Sequence, residues 1–170
     1  MISVKIASTL PNNTLFPESV EQNLNLVLSQ AASKYRLGFD VVQGFDYAKN
    51  YNECVYRDFY HAAEVRLDFD FLLIADSDIL WRSEDLDRLI SRDLDIVGGA
   101  YADRWARGRF CAVKVDDFGA FTESDFISQS NAGCGLIEVD RVGCGFLLIK
   151  KKRVCGDNAS VVYRGLLTSN

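Results

Sequence analysis

The feature that most constrains the fold is a nearly continuous apolar run, residues 69–75 (FDFLLIA), that ends directly on Asp76, Ser77 and Asp78. Such a run is typical of a central parallel strand that is covered on both faces. In open α/β sheets, ligands bind outside the carboxyl ends of the strands. We therefore expect a parallel sheet whose carboxyl edge carries the two aspartates at a ligand site.

The rest of the chain alternates short apolar strands with helical periods, which indicates an α/β domain with a largely parallel sheet. The first helix, starting near Pro17, is predicted to run through Tyr35 and stop at Gly38, and Ser83 is predicted to cap a later helix. A further helix is predicted near residues 52–67, and strands at 3–8, 39–42, 95–97, 110–115, 136–139 and 145–150. With 170 residues, 48% of them hydrophobic, the chain is expected to form one domain over residues 1–170.

Charge and composition argue against several classes of protein. A net charge of -5 disfavours a nucleic-acid partner, because phosphate binding needs clustered Lys and Arg. No apolar run reaches the roughly 20 residues that a transmembrane segment needs, and residues 1–10 lack a signal peptide's apolar stretch, so we expect a cytoplasmic protein. Five cysteines without a C-x-x-C pair, and His61 as the one histidine, disfavour structural zinc and His-based nucleophilic catalysis.

Asp76 and Asp78 are candidate ligands for a hard cation. If strand geometry continued through both, alternation would place them on one side, roughly 6 to 7 Å apart between backbones. Two carboxylates at that distance favour a bound cation, and oxygen ligands without His or Cys favour Mg²⁺ or Mn²⁺. The alternative is a pair of acidic residues at a strand end that faces water.

Four segments are informative together: Tyr56-Arg57-Asp58, residues 69–79, residues 95–101 and residues 139–149. Their order and spacing resemble the landmarks of GT-A glycosyltransferases similar to family 2, and the small size is similar to that of virus-encoded members. The resemblance implies a GT-A fold, with a mostly parallel central sheet flanked by helices. It also implies inverting transfer of a sugar from a nucleoside-diphosphate donor to a hydroxyl of a carbohydrate or protein-glycan acceptor.

The resemblance implies roles for individual residues as well. Asp78 matches the aspartate that binds Mn²⁺ or Mg²⁺ on the diphosphate, and Asp76 matches the first aspartate, which meets the metal, ribose or sugar. The other positions that match donor-binding residues are Thr9, Pro11, Asp46, Arg57, Gly99 and Tyr101. Each of two residues has an alternative that stays open. Arg57 could pair with a nearby carboxylate, and Gly99 could belong to a tight strand turn.

Two carboxylates are candidates for the catalytic base of such a reaction. Asp157 is preferred, because Gly156-Asp157-Asn158 is the nearest match to the acidic motif of the family. Asp140, just before the glycines of the last landmark, is the other candidate. A base must come within hydrogen-bond reach of the acceptor hydroxyl, and this requirement decides between them.

Three other functions share parts of this pattern. A phosphatase-type D-x-D nucleophile would be followed two residues later by Thr or Val, where this chain has Leu80. A nucleotidyltransferase of the same architecture usually opens with a glycine-rich phosphate loop, and residues 8–11 (STLP) contain no glycine. A protein that binds sugar nucleotides without turnover stays open as the alternative from a different class.

Overall fold

A computed structural model of the chain describes residues 1–10, 18–43, 49, 69–102, 108–114, 126–128, 136–151 and 165–168. Several predictions fall elsewhere in the chain. Those for Pro11, Asp46, Arg57, Asp157 and the helix near residues 52–67 lie outside the described residues.

The described residues form ten strands and two longer helices, in the order of an α/β domain. In chain order they are β1 (Ser3–Leu10), α1 (Glu18–Ala31), β2 (Arg36–Gln43), β3 (Phe71–Asp76), α2 (Ser83–Ser91), β4 (Ile96–Gly99), β5 (Arg109–Val113), β6 (Phe126–Ser128), β7 (Leu136–Val139), β8 (Arg141–Val142), β9 (Phe146–Lys150) and β10 (Gly165–Thr168). Seven strands make one sheet in the order β2-β1-β3-β9-β4-β10-β7, and a three-stranded sheet has the order β6-β5-β8. The predicted α/β class is confirmed.

The main sheet is mixed, which refines the expectation of a mostly parallel one. Strands β1, β2 and β3 are mutually parallel, and β4 is parallel to β10. Strand β9, however, lies between β3 and β4 and runs antiparallel to both, and β7 is antiparallel to β10. The amino end of β9 therefore lies at the same edge of the sheet as the carboxyl ends of β1, β3 and β4.

Both helices pack on one face of this sheet through a shared apolar cluster. The helices contribute Val27, Ala31, Leu86 and Leu89, and the strands contribute Val4, Ile6, Leu73 and Leu148. Alternation along β3 turns Leu72 and Ile74 to the opposite face, where they are buried in a second cluster. Burial on both faces explains the continuous apolar sequence of β3, since each buried aliphatic side chain contributes about 1.5–3 kcal/mol.

The ends of the helices differ from the predictions. Helix α1 ends at Ala31, and Gly38 lies within β2; Tyr35 extends the apolar pattern because it packs against the same cluster from the turn. The predicted cap at Ser83 is wrong. Arg82 occupies the N-cap position, with its N–H donating to Asp85 Oδ2 at 2.8 Å. The buried Ser83 hydroxyl instead donates to the side chain of Gln30 in α1.

The small sheet adjoins the main sheet where β8 leads into β9. Val142 of β8 pairs with Ala112 of β5, and its side chain lies against Gly98 of β4, where an added Cβ would come 2.6 Å from Val142 Cγ2. This contact places the small sheet beside the carboxyl end of β4. Among the described residues, no helix is long and apolar enough to cross a membrane.

Candidate active site

Several predicted site residues meet at the edge of the main sheet where β1, β3 and β4 end and β9 begins. Thr9 and Asp76 are register partners near the ends of the adjacent parallel strands β1 and β3. Gly99 ends β4, Tyr101 follows it, and Gly145 immediately precedes β9. The antiparallel β9 thus supplies a residue that the sequence patterns did not assign to the site.

The carboxylate of Asp76 is held by the neighbouring strand. The Thr9 hydroxyl donates a hydrogen bond to Asp76 Oδ1, and the Thr9 carbonyl accepts one from the Ser77 N–H at 3.2 Å. Thr9 is only 1% exposed, whereas Asp76 is half-buried. Side chain and backbone of Thr9 therefore both fix the point at which β3 ends.

The other oxygen of Asp76 faces Gly145 and Tyr101. A Cβ built on Gly145 would lie 3.0 Å from Asp76 Oδ2 and 3.0 Å from the Tyr101 hydroxyl oxygen. The Gly145 N–H donates to that hydroxyl at 3.0 Å, and the Gly145 carbonyl accepts from the Asp76 N–H at 2.8 Å. The backbone of Gly145 thus links Asp76 to Tyr101, and the lack of a side chain leaves the space between them open.

Tyr101 also joins this edge to the small sheet. Its carbonyl accepts a hydrogen bond from the Cys111 N–H at 3.1 Å, and the Cys111 carbonyl accepts one from the Gly143 N–H at 2.7 Å. Burial raises the pKa of the Tyr101 phenol, an effect that outweighs the hydrogen bond from Gly145 and is reinforced by the nearby Asp76 carboxylate. The phenol is therefore protonated at neutral pH, as a hydrogen-bonding group rather than a base.

Asp78 lies on a turn instead of on a continued strand. Strand β3 ends at Asp76, and the Ile79 N–H donates back to the Asp76 carbonyl at 3.1 Å. Asp78 is exposed within this turn. The expected strand alternation therefore does not extend from Asp76 to Asp78.

Asp76 and Asp78 are residues of a type that could hold a hard divalent cation. Both supply carboxylate oxygens, the donor type that Mg²⁺ and Mn²⁺ prefer. Within the part of the chain that the structure describes, no group of three or more His, Cys, Asp or Glu side chains is placed to hold a metal ion. Mg²⁺ is often bound through one or two carboxylates, with water or substrate phosphates as its other ligands.

The structure does not bring Asp140 to this cluster. Because β7 is antiparallel to β10, which is parallel to β4, the carboxyl end of β7 lies at the edge opposite Gly99. Asp140 directly follows β7 and is exposed, with its N–H donating to the Val113 carbonyl at 3.0 Å. Asp140 is three residues from Gly143 in the chain, about 10 Å of extended backbone.

Sequence reasoning missed the close contacts made by glycines at this edge. A Cβ on Gly143 would lie 2.0 Å from the Tyr101 hydroxyl, and a Cβ on Gly99 would lie 2.2 Å from Phe146 Cδ1. Cys144 lies between Gly143 and Gly145 in the chain. Burial, together with the nearby Asp76 carboxylate, raises the pKa of its thiol. The signal that points to these contacts is the pair of glycines in Val142-Gly-Cys-Gly-Phe146, directly before a buried strand.

No protein-family model and no curated protein sequence matches this chain. Among solved structures, A197 from STIV matches with a TM-score of 0.61 and 14% identity, over 99% of this chain and 82% of that one. A glycosyltransferase involved in the glycosylation of the major capsid of PBCV-1 matches with a TM-score of 0.37 and 11% identity, over 89% of this chain and 61% of that one. The 4-diphosphocytidyl-2C-methyl-D-erythritol synthase from Anaerococcus prevotii matches with a TM-score of 0.47 and 13% identity, over 89% of this chain and 72% of that one.

The fold and the site together define a mixed α/β domain with a carboxylate site at the strand ends. It shares its overall fold with A197. The similarity to the two transferases is distant, and at TM-scores of 0.37 and 0.47 it assigns no role to any residue.

Proposed function

We propose that this protein is a metal-dependent glycosyltransferase that uses a nucleoside-diphosphate sugar as donor. One observation carries the proposal: Thr9 fixes Asp76 at the edge of the sheet where β1, β3 and β4 end, and the exposed Asp78 follows it on a tight turn. A held carboxylate beside an accessible one suits a cation shared between protein and diphosphate. The order of the sequence landmarks supports the same class.

The described residues divide into two groups by what they offer a donor. Asp76 and Asp78 would hold Mn²⁺ or Mg²⁺, which when bound neutralises charge on the leaving diphosphate. Tyr101 follows the neighbouring strand end and would meet a donor there. The missing side chain of Gly99 leaves room for the Phe146 ring, so a donor contact from Gly99 stays a prediction. Donor contacts from Pro11, Asp46 and Arg57 stay predictions, since these residues lie outside the described part of the chain.

The proposed reaction is a direct displacement at the anomeric carbon of the sugar. The acceptor hydroxyl oxygen forms a bond to that carbon, and the bond from carbon to the diphosphate oxygen breaks, with its electron pair leaving on the diphosphate. The acceptor proton passes to a carboxylate base, for which we propose Asp157. Attack opposite the leaving group inverts the anomeric centre, and general-base catalysis contributes about 10² to 10⁴ in rate.

Calorimetric titration with UDP, GDP, CDP and ADP, with and without Mn²⁺, tests this proposal. We expect one nucleotide to bind in the presence of Mn²⁺ and the affinity to fall at least about 10-fold in Asp78→Asn, because a charge-assisted ligand contact is lost. Asp93→Asn is the matched control, since Asp93 is an exposed carboxylate at the opposite edge, before β4. Binding that needs no metal, or an unchanged affinity in Asp78→Asn, would contradict the metal assignment.

Turnover is tested separately, by mass-spectrometric detection of product from the sugar donor that matches the bound nucleotide. Transfer to carbohydrate or protein-glycan acceptors is expected. Metal-dependent binding without any product from a broad acceptor panel would favour a sugar-nucleotide-binding protein of the same fold.

A further inference from the structure

We infer that Thr9 is a positioning residue, which orients the Asp76 carboxylate and does not itself contact the donor. The inference deepens the proposed function and rests on it. Thr9 has matched donor-binding positions by sequence, but with 1% of its surface exposed its hydroxyl is not accessible to a ligand. Its described side-chain partner is Asp76 Oδ1.

The backbone of Asp76 is fixed independently of Thr9's hydroxyl. The Asp76 N–H donates to the Gly145 carbonyl at 2.8 Å, and the Asp76 carbonyl accepts from the Ile79 N–H at 3.1 Å. With both backbone groups engaged, the orientation of the carboxylate depends on the side-chain torsions of Asp76. Among the described residues, the Thr9 hydroxyl restricts these torsions by donating a hydrogen bond to one carboxylate oxygen.

The strand pairing explains why Thr9 can do this. Thr9 and Asp76 are register partners on adjacent parallel strands, and alternation places both on the face that carries Ala7 and Ile74. A β-branched side chain is stiff at χ1, so a buried threonine presents its hydroxyl in a fixed direction. With Oδ1 bound to Thr9, the other carboxylate oxygen, Oδ2, is turned toward Gly145 and Tyr101.

The test compares Thr9→Val, which keeps the shape but removes the hydroxyl, with Thr9→Ser, which keeps the hydroxyl. Ser8→Ala is the matched control, because Ser8 is equally buried on β1 but points to the opposite face. We expect Thr9→Val to weaken Mn²⁺-dependent nucleoside diphosphate binding about 10-fold, the size expected when a hydrogen bond to a charged group is lost. Thr9→Ser and Ser8→Ala should bind as the wild type does.

A purely structural role would lower the melting temperature of Thr9→Val without a selective loss of nucleotide binding. A double-mutant cycle sharpens the comparison: in an Asp76→Asn background, Thr9→Val should change affinity little further, because the hydroxyl acts through that carboxylate. Additive losses would mean that Thr9 contacts the ligand directly and would overturn the inference. If Thr9→Val does not fold, Thr9→Ala provides the same comparison.

Crystal structures of the variants supply a readout that does not depend on the proposed function. The Asp76 side chain should leave its wild-type rotamer in Thr9→Val and keep it in Thr9→Ser. An unchanged rotamer in Thr9→Val overturns the inference. If the wild type binds no nucleoside diphosphate, the proposed function fails, while the Asp76 rotamer still decides whether Thr9 positions it.

Discussion

The Tyr101 hydroxyl accepts a hydrogen bond from the Gly145 N–H at 3.0 Å, between residues 44 positions apart in the chain. Tyr101 follows β4 and Gly145 precedes β9, so this bond joins the ends of two antiparallel neighbours at the edge that carries Asp76. The backbone of Tyr101 is bonded in turn to Cys111 of the small sheet. Tyr101 therefore connects the end of β4, the start of β9 and the small sheet.

Tyr101→Phe should lower the free energy of unfolding by about 1–3 kcal/mol at pH 7, because the buried Gly145 N–H loses its acceptor. Chemical denaturation measures the change. A free energy of unfolding that is unchanged in Tyr101→Phe would contradict the role given to Tyr101.

The raised pKa of Tyr101 also predicts a dependence on alkaline pH. Burial raises the pKa in the folded state, while a tyrosine in the unfolded chain ionises near pH 10. The contribution of the protonated Tyr101 phenol to the free energy of unfolding is therefore fully present below about pH 10. It is lost as pH rises toward the folded-state pKa. Unfolding free energies measured between pH 9 and 11 should fall more steeply for the wild type than for Tyr101→Phe.

The close contact at Gly143 predicts a steric effect of a single methyl group. In Gly143→Ala the new Cβ would lie 2.0 Å from the Tyr101 hydroxyl, so the ring must move, at a cost of about 1–3 kcal/mol. In the control, Gly38→Ala, the nearest atom is Lys5 Cδ at 3.2 Å, the movable end of a side chain. Gly38→Ala should be neutral or stabilising in thermal unfolding, since alanine lowers the entropy of the unfolded chain.

The fold could be predicted from the sequence wherever burial leaves a local pattern. Strand β3 is predicted almost to its ends because burial on both faces makes its sequence continuously apolar. The same reasoning failed at Tyr35, where an apolar residue in a turn extends the helical pattern of α1. The direction of β9 was not predictable, because an apolar run reads the same in a parallel and an antiparallel strand.

The candidate site was predictable only in part, for a similar reason. Asp76 and Asp78 could be placed at a strand end from local sequence. The bond from Thr9 to Asp76 joins residues 67 positions apart, and the space between Asp76 and Tyr101 depends on Gly145, which only the reversed β9 brings there. Such contacts follow from the register and direction of strands and leave no periodic signal.

Asp87 links the turn after α1 to α2, and its contacts predict that the free energy of unfolding falls at acid pH. Its carboxylate accepts hydrogen bonds from the Tyr35 hydroxyl at 2.6 Å and from Lys34. Burial alone would raise the pKa of Asp87, but these two bonds outweigh it and hold the pKa below its ordinary value. The contribution of the ionised Asp87 carboxylate to the free energy of unfolding is therefore present above the unfolded-state pKa of about 3.9. It is lost as pH falls through the folded-state pKa.

Asp87→Asn should accordingly cost about 1 kcal/mol at pH 7, since the carboxylate is 30% exposed and solvent screens the ion pair. Its unfolding free energy should also depend less on pH between 5 and 2 than that of the wild type. Asp93→Asn is the matched control: Asp93 is also paired with a lysine, but its side chain is 81% exposed. An equal effect in the two variants would mean that the bond from Tyr35 contributes nothing.

The position of Asp140 predicts that it is not the catalytic base. It is exposed between β7 and β8, next to the end of β7 that lies opposite the site edge, whereas a base must be within about 3 Å of the acceptor hydroxyl. Asp140→Asn should therefore keep the wild-type turnover number in the product assay. Asp157→Asn should cut turnover about 10² to 10⁴-fold while donor affinity barely changes, as expected of a group that acts only in the transition state. The reverse result would assign the base to Asp140 and would require the chain between β7 and β9 to move toward Asp76 when substrate binds.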